Sequence, residues 1–251
     1  MTVITVGSWR GIGASTTALL LASAAAMRGH DAWLVEADPA GGVLASRAPA
    51  LAGVDSLGRV AFTRSDERVE TVLQASSRRL GPVNVVTSPW DSFQAWSAVA
   101  SPRRPWVEAL RRLGDVVVVD VGSLRGGDVP SWPIIERSDA LVMVTNPDAA
   151  ALTSTVAWMD AKGQSAPGVA GLSLDTARLV VVDTPGGSTE RFGPNVADEL
   201  EGRMAGWWDW EPRVVDHVLR GGSLDHRAVR RHDLVGAAAS TLAHLIDGTV
   251  A

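Results

Sequence analysis

Short β-branched runs alternate with segments of helical spacing almost from end to end of the chain. Val3-Ile4-Thr5-Val6 reads as a first strand, Gly7 to Ser15 as a Gly/Ser loop, and Thr16 to Arg28 as a helix stopped by Gly29. Ala32 to Glu36 is a second strand. Asp66 to Leu80 sets charged and apolar residues at helical spacing as far as Gly81, and Val83 to Thr87 follows as a third strand. Ser92 to Ala100 and Pro105 to Leu113 read as short helices. Val116-Val117-Val118-Val119 is apolar on both faces, which predicts a central parallel strand. Ala140 to Thr145 and Arg178 to Val182 are further strands, with the helix Ala149 to Ala161 between them. Asn195 to Arg203, Pro212 to Arg220 and Asp233 to Ile246 are the closing helices, while Ala161 to Thr176 and Gly186 to Pro194 read as loops. The alternation predicts one domain over residues 1–251: a doubly wound, mostly parallel α/β sheet that presents ligand at its strand C-termini.

Composition narrows the chemistry. The chain has 251 residues, 46% of them hydrophobic, enough for a full core. A formal charge of -5 argues against general electrostatic binding to nucleic acid. Cys is absent, which removes disulfides, thiolate catalysis and Cys-ligated zinc and fits a reducing cytosol. Tyr is absent too, and Lys162 is the only lysine. Thr2 to Val6 is too short and lacks the basic flank of a signal peptide. Thr16 to Met27 is about half the length of a membrane span. A soluble, cytoplasmic protein is the expectation.

A strand, a Gly-rich loop and a helix form a phosphate-binding arrangement, because loop N–H groups and the helix N-terminus point at the anion. Two motifs compete for this loop. Gly7, Gly11 and Gly13 are spaced like the glycines of short-chain dehydrogenases, and Glu36 sits where a ribose-binding acid would. That family's catalysis needs a Tyr–Lys pair, which a chain without Tyr lacks.

The second motif extends over nearly the full length. Arg10-Gly11-Ile12-Gly13-Ala14-Ser15-Thr16-Thr17, Leu34 to Gly42 with Asp38-Pro39, Val116 to Ser123 with Asp120, and Asp139 to Pro147 resemble the deviant Walker A loop, first switch, Walker B strand and following strand of ParA/MinD-type P-loop ATPases. The likeness is to actinobacterial MinD-like proteins with a degenerate loop. It implies a P-loop NTPase topology with ATP, or another nucleoside triphosphate, and Mg²⁺ as ligands. Gly11, Ile12, Gly13, Ala14, Ser15, Thr16 and Thr17 would line the phosphates, with Thr16 on Mg²⁺ and Thr17 on the α-phosphate. Helix capping explains the two threonines equally naturally. Asp120 would reach Mg²⁺ through water, and Asp38 would orient the attacking water or form an Asp-Pro turn. Glu36 would support the metal shell or simply end its strand. Arg10 stands where a signature lysine reaches the partner's phosphates in a dimer, or is a solvated loop arginine; Asp183 lies near where the family often places an Asn on the purine, or is a plain loop acid.

Three departures matter. Ser15 replaces the Walker lysine, forfeiting a charge-assisted hydrogen bond worth about 1.5–3 kcal/mol. Ala14 replaces the last loop glycine; a left-handed backbone there would cost roughly 1–2 kcal/mol unless Gly13 shifts the turn. Trp9 stands where glycine is usual. The expected function is therefore an ATP-dependent, homodimerising switch that positions a protein cargo (partition, division, pilus or secretion machinery) with weak or absent hydrolysis. The alternatives are a pseudo-ATPase scaffold and, last, a dinucleotide oxidoreductase.

Other features read as structural. His217, His226, His232 and His244 lack metal-ligand spacing. Arg103-Arg104 and Arg227, Arg230 and Arg231 read as solvated faces. Trp207-Trp208-Asp209-Trp210, at the last strand, cannot bury all its indoles on one side, so at least one should be exposed or at an interface. The last helix lacks the basic face of a membrane-targeting helix.

Overall fold

The computed structural model describes residues 1–9, 11–53, 57–61, 68–100, 106–124, 130–165, 177–185, 191–193, 200 and 202–247. The strands are β1 (Thr2–Ser8), β2 (Ala32–Glu36), β3 (Arg78–Leu80), β4 (Val83–Val86), β5 (Val116–Ser123), β6 (Ala140–Thr145), β7 (Ala177–Asp183) and β8 (Met204–Asp209). They form one sheet in the order β3-β4-β2-β5-β1-β6-β7-β8. All neighbours run parallel except β3 and β4. The helices are α1 (Ala14–Met27), α2 (Leu44–Arg47), α3 (Leu57–Ala61), α4 (Val69–Ser76), α5 (Ser92–Val99), α6 (Trp106–Leu110), α7 (Trp132–Ile135), α8 (Ala149–Ser165), α9 (Pro212–Leu219) and α10 (Asp233–Asp247).

The period-two alternation of strand residues divides the core into two layers. Val116 and Val118 join Ile4, Val6, Leu34 and Val142 on the face covered by α1, α9 and α10. Val117, Val119 and Val121 point the other way, to Val3, Val35, Leu141 and Met143, beneath α3 to α8. This explains why the valine run has no polar face. Helix α1 is covered by the sheet on one side and by α9 and α10 on the other, so Leu19, Leu20 and Leu21 are all buried. Its apolar character serves the core, and no helix among the described residues is long and apolar enough to cross a membrane. Helix α10 likewise buries Leu234, Val235, Ala238 and Leu242.

The structure corrects several boundaries. The helix expected over Asp66 to Leu80 ends at Ser76, and Arg78 to Leu80 turns back as the antiparallel edge strand β3. The loop expected from Ala161 is helical to Ser165. The closing helix expected over Asn195 to Arg203 falls largely outside the described residues, and its last two residues are a turn. None of the three tryptophans expected to leave an exposed member is fully exposed: strand alternation sends Trp208 into one layer and Trp207 against the other, while Trp210 packs beside the first.

Candidate functional site

Strand β1 lies between β5 and β6, so the chain leaves its C-terminal end where connections diverge to the two halves of the sheet. Crevices of this kind receive ligands in open α/β sheets. The β1–α1 loop turns on Gly11 and Gly13, with φ of 70° and 74°. Gly13 is the N-cap of α1 and supplies no side chain to its first turn. The first helical bond is from Thr17 N–H to the Gly13 carbonyl, 2.9 Å. The N–H groups of Ala14, Ser15 and Thr16 are thus left free of the intrahelical ladder, as at any helix start. Around Gly11 and Gly13 there is open space on the Cβ side, so the loop has room for an anion.

Ala14 lies inside the helix, buried, and no non-glycine described residue has positive φ. The left-handed strain considered for Ala14 therefore does not arise, because Gly13 takes that conformation. Trp9 packs against the second core layer, its ring centroid 6.0 Å from that of Trp158. Ile12 and Ser15 are half-buried, and Thr16 and Thr17 are buried. Arg10 lies outside the described residues.

Three acids meet at the ends of β2 and β5. Glu36 and Asp120 are register partners on adjacent strands. Asp120 is fully buried; its Oδ1 accepts from Gly122 N–H at 3.0 Å. Its Oδ2 makes no hydrogen bond of normal geometry. Burial pushes its pKa up to about 7, and the charges of Glu36 and Asp38 push the same way. The Ser15 hydroxyl and Gly122 N–H oppose the rise. Asp38 is also raised, by burial, against a hydrogen bond of 2.8 Å from Ala40 N–H. That bond is an Asx turn, so the Asp-Pro turn exists while the carboxylate lies over Gly122.

Glu36 has a specific structural role. One carboxylate oxygen accepts from the N–H groups of Val43 and Leu44, 2.7 and 2.9 Å. The other accepts from Ser88 N–H at 3.0 Å. Burial raises its pKa, these three bonds oppose the rise, and the Asp38 charge adds to it. Glu36 therefore caps α2 and ties the loop over residues 37–43 to the segment after β4. Two further bonds strengthen the tie: Gly42 N–H to the Pro89 carbonyl, 2.8 Å, and Ser88 Oγ to the Asp38 carbonyl, 3.2 Å.

Two residues that the motifs did not flag belong to this region. Ser88 is one. The other is Arg47, the last residue of α2, whose Nη1 donates to Thr16 Oγ1 at 3.0 Å. Asp183, by contrast, ends β7 with its carboxylate paired to Arg191. His217 stacks on His226, with ring centroids 5.1 Å apart, and Glu211 lies 3.4 Å from His232. Arg227, Arg230 and Arg231 are exposed.

The donor set suits Mg²⁺ with a polyphosphate. Among the described residues no three or more His, Cys, Asp or Glu converge on an ion. Mg²⁺ at phosphate sites needs only one or two protein groups, with phosphate and water completing its shell. Thr16 Oγ1 and the unpartnered Asp120 Oδ2 supply such groups.

The sheet order and the β1–α1 loop define the fold of the ParA/MinD-type P-loop ATPases. A ParA family ATPase from Chlorobium tepidum superposes with a TM-score of 0.76 at 15% identity, over 97% of this chain and 99% of that one. The MinD of Pyrococcus horikoshii complexed with Mg-ADP gives 0.64 at 17%, over 98% and 96%. A putative plasmid partition protein from Borrelia burgdorferi bound to AMPPNP gives 0.66 at 13%, over 99% of each chain. No protein-family model and no curated protein sequence matches the chain. Likenesses at these identities establish the fold.

Proposed function

We propose that the chain is a nucleotide-binding switch protein of the ParA/MinD type, taking ATP or another nucleoside triphosphate with Mg²⁺ on the loop Gly11 to Thr17. The observation that carries this reading is Asp120: a wholly buried carboxyl with an unpartnered oxygen, among two other acids, beside an open helix N-terminus. A bound cation would relieve that arrangement. The nucleotides held by the P. horikoshii and B. burgdorferi proteins support the same ligand class.

In this reading the N–H groups of Ala14, Ser15 and Thr16 receive the phosphates. Thr17 lies by the α-phosphate, and Thr16 and Asp120 hold Mg²⁺, Asp120 through water. Mg²⁺ would neutralise phosphate charge. Asp38 orients the attacking water, and Arg10 contacts the phosphates of a partner subunit. Asp183 meets the purine once it exchanges Arg191 for the base. Ser15 brings no cation to the β- and γ-phosphates, so hydrolysis is weak or absent. A nucleotide-linked homodimer would then act as a switch for a protein cargo. The MinD of Aquifex aeolicus, which forms a complex with MinC, shares this fold at a TM-score of 0.66. The same Ser15 favours a second reading, a pseudo-ATPase scaffold that binds without turnover. The dinucleotide reading loses its acid, because both Glu36 oxygens are engaged by backbone N–H groups.

Calorimetric titration with ATP, GTP and NADH, each with and without Mg²⁺, tests the proposal. Weak triphosphate binding strengthened by Mg²⁺ is the expected result. Tight NADH binding indifferent to Mg²⁺ would replace this reading with the dinucleotide one.

A further inference from the structure

The loop has lost its lysine, yet a cation reaches it from another element. Glu36 accepts from Val43 and Leu44 N–H and so fixes the start of α2. Helix α2 is one turn long, and Arg47 closes it, its own N–H bonded to the Val43 carbonyl at 3.2 Å. From there the guanidinium crosses to the first turn of α1, where Nη1 donates to Thr16 Oγ1 at 3.0 Å. Among the described residues no carboxylate pairs with Arg47. A guanidinium carries five N–H donors in a planar fork, and Thr16 takes one of them. The charge is therefore held at the phosphate loop by a single hydroxyl, with donors left for another acceptor.

We propose that Arg47 is the phosphate-binding cation of this site, acting in cis in place of the absent loop lysine. Its ligand is the polyphosphate tail of a nucleoside triphosphate, and the inference rests on the nucleotide reading above. Three observations converge on it. Thr16 is buried in the loop helix, and Arg47 is bonded to it. Asp120, fully buried with its Oδ2 unpartnered, has its carboxyl within reach of the Ser15 hydroxyl on that helix. Among the described residues the guanidinium has no counter-charge that would compete with phosphate. Arginine meets phosphate oxygens with two parallel hydrogen bonds, which a point-charge ammonium cannot do. It also stays protonated at every working pH. Because Thr16 Oγ1 is the hydroxyl expected on Mg²⁺, Arg47 passes from that hydroxyl to the phosphates as ligand and metal arrive. Its share of the binding thus persists when Mg²⁺ is removed.

The test is ATP binding by calorimetry to the full chain, wild type against Arg47→Ala and Arg47→Lys, in Mg²⁺ and in EDTA, with thermal melts of each protein. Arg47 is exposed apart from its contact with Thr16, so melts should coincide. Arg47→Ala should lose about 10- to 150-fold in ATP affinity, in EDTA as well as in Mg²⁺. Arg47→Lys should recover part of it, through charge without the second parallel hydrogen bond. Adding salt should weaken the wild type more steeply than Arg47→Ala. Equal affinities for wild type and Arg47→Ala would overturn the role of Arg47 and leave the nucleotide reading standing. A loss that Arg47→Lys fails to restore, accompanied by a lowered melt, would make Arg47 a structural strut instead. Absence of ATP binding by the wild type under both conditions would overturn both readings together.

Discussion

Replacing Asp120 with Asn should stabilise the ligand-free protein at neutral pH while weakening its response to Mg²⁺-nucleotide. The reasoning starts from burial, which lifts the Asp120 pKa from 3.8 to about 7. Between those values the unfolded chain has released this proton and the folded chain still holds it. Stability therefore falls as pH rises through that window, and the whole penalty is present above about 7. The gap corresponds to roughly 4 kcal/mol, of which about 2 kcal/mol develops between pH 5.5 and 7. Asn cannot ionise. Its Oδ1 can still accept from Gly122 N–H, while its amide has only the Ser15 hydroxyl within reach, so the fixed loss is at most about 1–3 kcal/mol. The fixed loss cancels when the two proteins are compared across pH. Glu36 and Asp38, also raised, tilt both proteins the same way. The assay is a set of thermal melts in EDTA from pH 5.5 to 8. The variant should gain on the wild type by about 2 kcal/mol over that range, or roughly 4–8 °C for a chain of this size. Mg²⁺-ATP at pH 8 should then raise the wild-type melt by clearly more than the variant's. A difference between the two proteins that stays constant with pH would refute the buried-acid account, and an equal Mg²⁺-ATP shift in both would remove Asp120 from the metal site.

Three further outcomes are expected. Ser15→Lys should raise ATP affinity by about ten- to a hundredfold and phosphate release by much less; calorimetry beside a phosphate assay checks this, and parallel gains would mean the lysine is all that turnover lacks. Glu36→Ala should lose about 3 kcal/mol or more, because the N–H groups of Val43, Leu44 and Ser88 lose their acceptor; urea unfolding reads it, and a loss under 1 kcal/mol would show that water replaces the carboxylate. Gly122→Ala places a methyl into the Asp38 carboxylate at a backbone φ of 65°, so it should destabilise by about 1–3 kcal/mol and weaken Mg²⁺-ATP binding; an unchanged melt would mean that Gly122 and Asp38 are not in contact.

The sheet was legible because its central strands are buried on both faces. Strands Ala32–Glu36 and Ala140–Thr145 begin and end where the apolar runs do. What escaped notice lies at edges. Arg78 and Arg79 are exposed on a three-residue edge strand, so they carry no apolar alternation and read as the tail of the preceding helix. The loop residues, Asp38 and Asp120 could be placed along the chain because each follows a strand at a recognisable offset. Their partners could not, since hydrogen bonding is decided by where the chain returns. Glu36 looks the same in sequence whether it binds a ribose, supports a metal or caps α2, and only the approach of Val43, Leu44 and Ser88 separates these roles. Arg47 carries no local signal at all: it is 31 residues from Thr16, one arginine in a chain whose basic residues are nearly all arginine. A lysine-free loop says that the charge must come from elsewhere, not from which helix.

A phosphate site has a backbone component and a charge component, and in this chain they separate. The backbone component depends on Gly11 and Gly13, whose left-handed conformations open the first turn of α1, and Ala14 fits the helix that follows without strain. The charge component depends on side chains, and at position 15 the loop offers a serine and no cation. If the site were merely a relic of fold geometry, nothing would be gained by holding Asp120 beneath it. A carboxyl buried among Glu36 and Asp38 lowers the stability of the empty protein by several kcal/mol at neutral pH, whereas another valine of the kind that fills β5 would add to it. On the proposed reading a bound cation would relieve that penalty at the Asp120 oxygen that has no hydrogen-bond partner. If the proposed metal and phosphate relieve that arrangement, their binding is coupled to the segments that Glu36 holds at Val43, Leu44 and Ser88. That coupling is what a nucleotide switch needs, and it does not require hydrolysis.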